Sequence, residues 1–186
     1  MIDALNHIDT ELFLFLNGLH NNVFDFLMYW VSNKYIWIPM YAFLIFLIIK
    51  KYKKQSWLVL LMVALLITAS DQLTVFMKNY FQRPRPCHQE DLQLLVHLVK
   101  DKCGGAYGFV SSHASNSFSL AVFLIPILKP SYPNFKILII FWAALVACSR
   151  VYLGVHFPGD ILAGAFTGVI LGFLFSKVFF LIQPSR

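Results

Sequence analysis

Three short stretches of an otherwise apolar chain gather the residue types that bind anions, move protons or attack phosphorus. They are Lys78 to Pro86 (KNYFQRPRP), Val110 to His113 (VSSH) and Ser149 to Asp160 (SRVYLGVHFPGD). Lys78, Arg85 and Arg150, with Arg83 as a further cation, would repel one another if brought to one place without an anion. Phosphate meets that demand: a guanidinium fork grips two of its oxygens, and the same cations stabilise the charge that develops as a phosphoryl group transfers. For any one of these cations taken singly, snorkelling to lipid headgroups is the simpler account. The grouping is what argues for a site.

Ser111 and Ser112 stand just before an apolar run, where a hydroxyl caps the exposed N–H groups of a helix and the helix N-terminus receives an anion. Capping leaves His113 unexplained; in the first turn, an imidazole can protonate a leaving alkoxide. His156 and Asp160 are spaced i, i+4, so the carboxylate can hold one imidazole nitrogen and leave the other free to attack. Two histidines and an aspartate are also a partial zinc set. The surrounding cations would repel a divalent ion and no further ligand is evident, so neither a metal nor another cofactor is expected.

The elements that must position these groups are membrane helices. Of 186 residues, 59% are hydrophobic and only 13% charged, and the mean hydropathy is +0.68; a soluble domain is ordinarily about 45 to 50% apolar. The expected fold is all-α, an integral-membrane bundle of about five to six transmembrane helices, with the whole chain, 1–186, as one domain. Ile8 to Leu19 and Val23 to Trp30 are too short to cross and carry acidic residues, and are expected as interfacial helices. Five spans are expected at Tyr35 to Ile49, Trp57 to Phe81, Ala114 to Leu128, Ile137 to Leu153 and Pro158 to Ile182. Met1 to His20 lacks the basic start and small-residue cleavage site of a secretory signal, so insertion is expected to rely on the spans.

Threading those spans back and forth sets Lys50, Lys51, Lys53, Lys54, Lys129, Lys136, Lys177 and Arg186 on one side. Lys34, Lys78, Arg83, Arg85, Lys100, Lys102 and Arg150 fall on the other. With the four motif cations set aside the balance is eight against three, which makes the first side cytoplasmic and turns the loop 84–112 outward. Cys87 and Cys103, sixteen positions apart in that loop, can pair outside the cell and constrain it by about 3 kcal/mol. Two free thiols are the alternative. Leu92, Leu95, Val96 and Val99 recur at helical spacing, which predicts a short amphipathic helix in the loop. The net charge of +6 does not point to nucleic acid, because the basic residues form no patch interleaved with stacking aromatics. The expected partners are the bilayer and a lipid phosphate; the oligomeric state is left open.

In order and spacing, the three stretches resemble the tripartite motif of the type 2 phosphatidic acid phosphatase (PAP2) superfamily, K-x6-R-P, P-S-G-H and S-R-x5-H-x3-D. The first and third match without a departure. In the second, Ser111 and His113 match, while Val110 stands for proline and Ser112 for glycine. The resemblance covers about residues 57–182. It implies a metal-independent site in which His156 attacks phosphorus to give a phosphohistidine and Asp160 orients it. His113 would serve as general acid, and Lys78, Arg85, Arg150 and Ser111 would hold the phosphate. Ser112 adds a side chain to that cradle, which either helps to bind phosphate or changes its fit.

The function so implied is hydrolysis of a lipid phosphomonoester or diphosphate at the outer face of a membrane, taken as a bacterial inner membrane. Undecaprenyl diphosphate is preferred over phosphatidylglycerol phosphate, phosphatidic acid and lipid A 1-phosphate. Transfer of the phosphoryl group to another lipid, and a non-enzymatic anionic-lipid binder or transporter, are the alternatives. Asp71, two turns before Lys78 on nearly the same helix face, is expected to be structural. Gly164, Gly168 and Gly172 form a small-residue stripe suited to close helix packing.

Overall fold

The computed structural model describes residues 2–183, so Arg186, counted above on the cytoplasmic side, lies outside the described residues. Among the described residues seven α-helices follow one another: α1 (Ile2–Gly18), α2 (Asn22–Ser32), α3 (Ile38–Tyr52), α4 (Ser56–Phe81), α5 (Ser112–Leu128), α6 (Phe135–Tyr152) and α7 (Pro158–Ile182). No strand occurs among the described residues; Pro84 and Tyr107 make an isolated β-bridge. The stretches Lys34–Phe81, Phe135–Tyr152 and Pro158–Ile182 are long and apolar enough to cross a membrane, and Ser112–Leu128 is a shorter apolar helix. Lys53, at φ 49°, breaks the first of these stretches into α3 and α4.

Local chemistry sets the ends of these helices. The Asn21 side chain accepts hydrogen bonds from the N–H groups of Val23 and Phe24 and so starts α2. Pro39 and Pro158 stand in the first turns of α3 and α7, where a missing N–H breaks no helical bond. Gln82, left-handed at φ 49°, ends α4 by donating its N–H to the Lys78 carbonyl.

α5 is the hub, packed against α4, α6 and α7. Phe123, Leu124 and Ile127 are buried on it together with Leu66 of α4, Trp142 of α6 and Phe179 of α7. Phe43, Phe46, Phe141, Leu162 and Phe166 remain exposed on the outside; hydrocarbon is the solvent that this surface fits. α1 and α2 are amphipathic. Leu12 and Phe15 stay exposed while Phe13 and Asn17 are buried, and Asn17 donates to the carbonyls of His97 and Tyr152 at 3.0 and 2.8 Å.

The loop after α4 departs from expectation at one point. In place of an amphipathic helix through Leu92 and Val99 it makes turns, with 3-10 segments only at Pro86–His88 and Val99–Asp101. Burial explains the apolar spacing: Leu92 packs with Phe13, Val151 and Phe157, whereas Val99 packs with Leu153 and Val155, so two separate clusters draw on these residues. Leu95 is exposed. Cys87 and Cys103 are joined by a disulfide, with their Cα atoms 6.0 Å apart.

Candidate active site

Four helix ends meet at one rim of the bundle, because α4 and α6 run toward it while α5 and α7 set out from it. α4 brings Lys78 in its last turn, α5 opens with Ser112 and His113, and α6 ends just after Ser149 and Arg150. His156 stands in the turn between α6 and α7, and Asp160 in the first turn of α7. The glycine stripe seats α7 on α5. A methyl group at Gly164 or Gly172 would come within 2.5 Å of the Ser111 or Ser119 carbonyl, and Gly168 abuts that of Ser115. The Ser111 N–H donates to the Asp160 carbonyl at 3.0 Å and fixes the register of the two helices at the rim.

His156 is 2% exposed, and its Nδ1 lies 3.3 Å from Asp160 Oδ2. The same oxygen accepts the Phe157 N–H at 3.1 Å. With the ring proton on Nδ1, Nε2 keeps its lone pair, 3.5 Å from Arg85 Nη1. Burial pulls the His156 pKa down to about 4; the Asp160 hydrogen bond opposes this, and the charges of Arg85 and Arg150 add to it. The imidazole is therefore neutral at physiological pH.

Asp160 is fully buried and does not face His156 alone. Arg83 Nη1 donates to Asp160 Oδ1 at 2.8 Å, and Arg83 Nη2 donates to Asp9 Oδ2 at 2.7 Å. Asp9 Oδ1 accepts the Gly159 N–H at 2.7 Å, and the guanidinium lies over the Phe157 ring, 4.2 Å from its centre. Arg83, expected as a further cation for phosphate, is instead held between two carboxylates.

Arg85 Nη1 donates to the Val155 carbonyl at 3.2 Å, and Arg150 Nη1 donates to the Ser32 hydroxyl. Lys78 Nζ donates to the Ser112 hydroxyl at 2.5 Å, which also bonds the Thr74 hydroxyl at 2.8 Å. The side chain at the family's glycine position is thus tied into the wall of the rim. Arg85 Nε, Arg150 Nε and Ser111 Oγ are buried and have no hydrogen-bond partner among the described residues. Buried polar groups are ordinarily satisfied. Three donors left over from the three motif stretches suit an oxyanion.

His113 lines a cavity of about 570 Å³ that descends between α3, α4, α5 and α6 to Ile48 and Leu124. Among the described residues, the three potential metal ligands that come together are Cys87, His88 and Cys103, and both of those sulfurs belong to the disulfide. His113, His156 and Asp160 do not form such a group.

Asp9, Ser32 and Gly108 escaped the sequence reading. A methyl group at Gly108 would lie 2.8 Å from Asp160 Oδ2 and 3.5 Å from His156 Nδ1. The acidic interruption of the first apolar segment was the one available signal for Asp9.

The PAP2 superfamily profile matches residues 57–184. The chain is 40% identical over 178 residues to the lipid A 4'-phosphatase of Bacteroides thetaiotaomicron, an alignment covering 94% of this chain and 78% of that protein. It is 26% identical over 182 residues to the undecaprenyl-diphosphatase BcrC of Bacillus subtilis, covering 95% and 87%. Its fold is similar to the crystal structure of a PAP2-type phosphatidylglycerolphosphate phosphatase from Bacillus subtilis, with a TM-score of 0.74 at 24% identity over 98% of this chain and 90% of that one. A profile match over most of the length, a relative at this identity and a shared fold agree: the chain belongs to the PAP2 superfamily, as an integral-membrane lipid phosphatase.

Proposed function

We propose that the protein hydrolyses the phosphate monoester of a glycolipid of the lipid A type through a phosphohistidine on His156. The observation that carries the assignment is the Asp160-bound imidazole of His156 in company with the donors Arg85 Nε, Arg150 Nε and Ser111 Oγ, unsatisfied among the described residues. Lys78, Arg85, Arg150, Ser111 and Ser112 hold the phosphate oxygens. Nε2 of His156 attacks phosphorus as the bond to the lipid oxygen breaks, and His113 gives that oxygen its proton. Water then attacks the phosphohistidine, His113 takes the proton from the water, and the electrons of the broken P–N bond return to Nε2. Asp160 keeps the ring oriented and offsets its positive charge.

The preference for undecaprenyl diphosphate at the sequence level rested on no pocket residue. Forty per cent identity to a lipid A 4'-phosphatase, against 26% to an undecaprenyl-diphosphatase, favours the glycolipid monoester. The membrane we assign is the bacterial inner membrane, on the bacterial source of the relatives, with the rim on its outer side, on the distribution of basic residues.

The experiment is phosphate release from purified protein, with chelator present, across a panel holding lipid A phosphates, phosphatidylglycerol phosphate and undecaprenyl diphosphate. Release from the glycolipid, absent in His156→Ala, is the expected result. An active His156→Ala enzyme refutes the nucleophile, and an acceptor lipid phosphorylated in place of free phosphate makes the protein a transferase.

A further inference from the structure

The large cavity is apolar where Leu44, Ile48 and Trp142 line it, yet α4 and α5 set Asp71 and Asn116 into its wall. Asn116 Nδ2 donates to Asp71 Oδ1 at 2.7 Å, and Asn116 Oδ1 is buried without a partner among the described residues. Asp71 Oδ2 takes no hydrogen bond among the described residues. A carboxylate at membrane depth is costly unless its oxygens are satisfied. One amide donor covers one of its two oxygens, so the pair still offers acceptor capacity beside the cavity.

The level of this pair is set by the helix ladder. On one face of α4, Asp71, Thr74 and Lys78 stand opposite α5, with Thr74 and Lys78 bonded to Ser112 and Asp71 bonded by Asn116. Asn116 follows Ser112 by one turn, which places it about 6 Å deeper at 1.5 Å per residue. A lipid whose phosphate is held at Ser112 and Lys78, with its chain in the cavity, passes Asp71 a few bonds beyond its ester oxygen.

We infer that Asp71 and Asn116 form a recognition subsite for a hydrogen-bond donor, a hydroxyl or an amide N–H, on the leaving alcohol, one helical turn of α5 deeper than Ser112. This deepens the proposed function and rests on it. A station that offers chiefly acceptor oxygens discriminates in both directions. A sugar bearing a hydroxyl or an amide-linked chain satisfies the carboxylate. A prenyl diphosphate brings its second, anionic phosphate toward Asp71 and then hydrocarbon to its level, which adds repulsion and leaves Asp71 Oδ2 without a donor. Sites built to hydrogen-bond a substrate donor reject analogues that lack it by up to about 10⁴-fold or more.

The test is kcat/KM for two probes, a glucosamine-based lipid monophosphate with amide-linked chains and a polyprenyl diphosphate, in wild type, Asp71→Asn, Asp71→Leu and Asn116→Leu. Wild type should favour the glycolipid, and Asp71→Leu should lower the glycolipid-to-diphosphate ratio by about tenfold or more. Asp71→Asn, which keeps one acceptor oxygen, should lower it less. A ratio unmoved within twofold, or equal loss on both probes, makes the pair structural and overturns the subsite while leaving the phosphatase assignment intact. If Asp71→Leu does not fold, Asp71→Asn and Asn116→Leu decide the same ratio. Wild type that cleaves only the diphosphate, or neither probe, refutes the glycolipid reading and this subsite with it.

Discussion

Asp9 tests whether α1 belongs to the chemistry or only to the fold. Arg83 bridges Asp9 and Asp160 through separate Nη atoms at 2.7 and 2.8 Å, and Asp9 also holds the Gly159 N–H. In Asp9→Asn the charge is gone, and Arg83 keeps Asp160 alone. A hydrogen bond between charged groups contributes about 1.5–3 kcal/mol. The side chains of Arg83 and Asp9 are 20% and 14% exposed, so water screens the pair and the lower figure applies, about 1.5 kcal/mol. Expressed in the orientation of Asp160 against His156, that is a fall in kcat of about tenfold, since each 1.36 kcal/mol is a factor of ten. KM should hold, because Asp9 does not touch the phosphate cradle. The assay is steady-state phosphate release by Asp9→Asn, Arg83→Gln and the double variant, each normalised to folded protein. A coupling energy of about 1 kcal/mol or more is expected in kcat. Strictly additive effects, or lost folded yield with an unchanged kcat, would refute a role for α1 in positioning the pair.

Gly108→Ala sets a methyl group 2.8 Å from Asp160 Oδ2, whereas Gly105 has nothing within 4 Å. Displacing reacting groups by about 1 Å lowers rates about 10²-fold, so Gly108→Ala should lose about two orders of magnitude in kcat and Gly105→Ala should stay within about twofold; similar values for both would dismiss the clash. For His156, held at a pKa of about 4 by burial first, the folded value lies below the unfolded one of about 6.5. The neutral ring is then present above pH 4, and stability is lost as pH falls from about 6.5 through 4. NMR of labelled histidine should show His156 titrating near 4 in wild type and higher in Arg85→Gln, which removes a depressing charge. A wild-type midpoint near 6.5 would show that the ring is solvated.

The parts of this site that a sequence exposes are those whose geometry is short-range. His156 and Asp160 meet because one helical turn and a proline bring i and i+4 together, and Lys78 and Arg85 reach the rim because α4 ends between them. The apolar helices were legible because a membrane helix must be apolar along its length; three stretches, Lys34–Phe81, Phe135–Tyr152 and Pro158–Ile182, are long enough to cross, and Ser112–Leu128 is shorter. The network behind the proposed nucleophile was not, since it joins Asp9 and Asp160 through Arg83, which stands 74 positions from the first and 77 from the second. Arg83 itself shows the limit of type and spacing. A guanidinium beside a motif arginine reads as a second phosphate ligand until the partner of the buried Asp160 has to be found. A fully buried carboxylate that orients a histidine needs a compensating cation, and an arginine committed to it is lost to phosphate. Counting the charges that Asp160 must satisfy before assigning those that phosphate can claim leaves three cations for the proposed cradle, Lys78, Arg85 and Arg150, and gives Arg83 its proposed role as the link from α1 to Asp160.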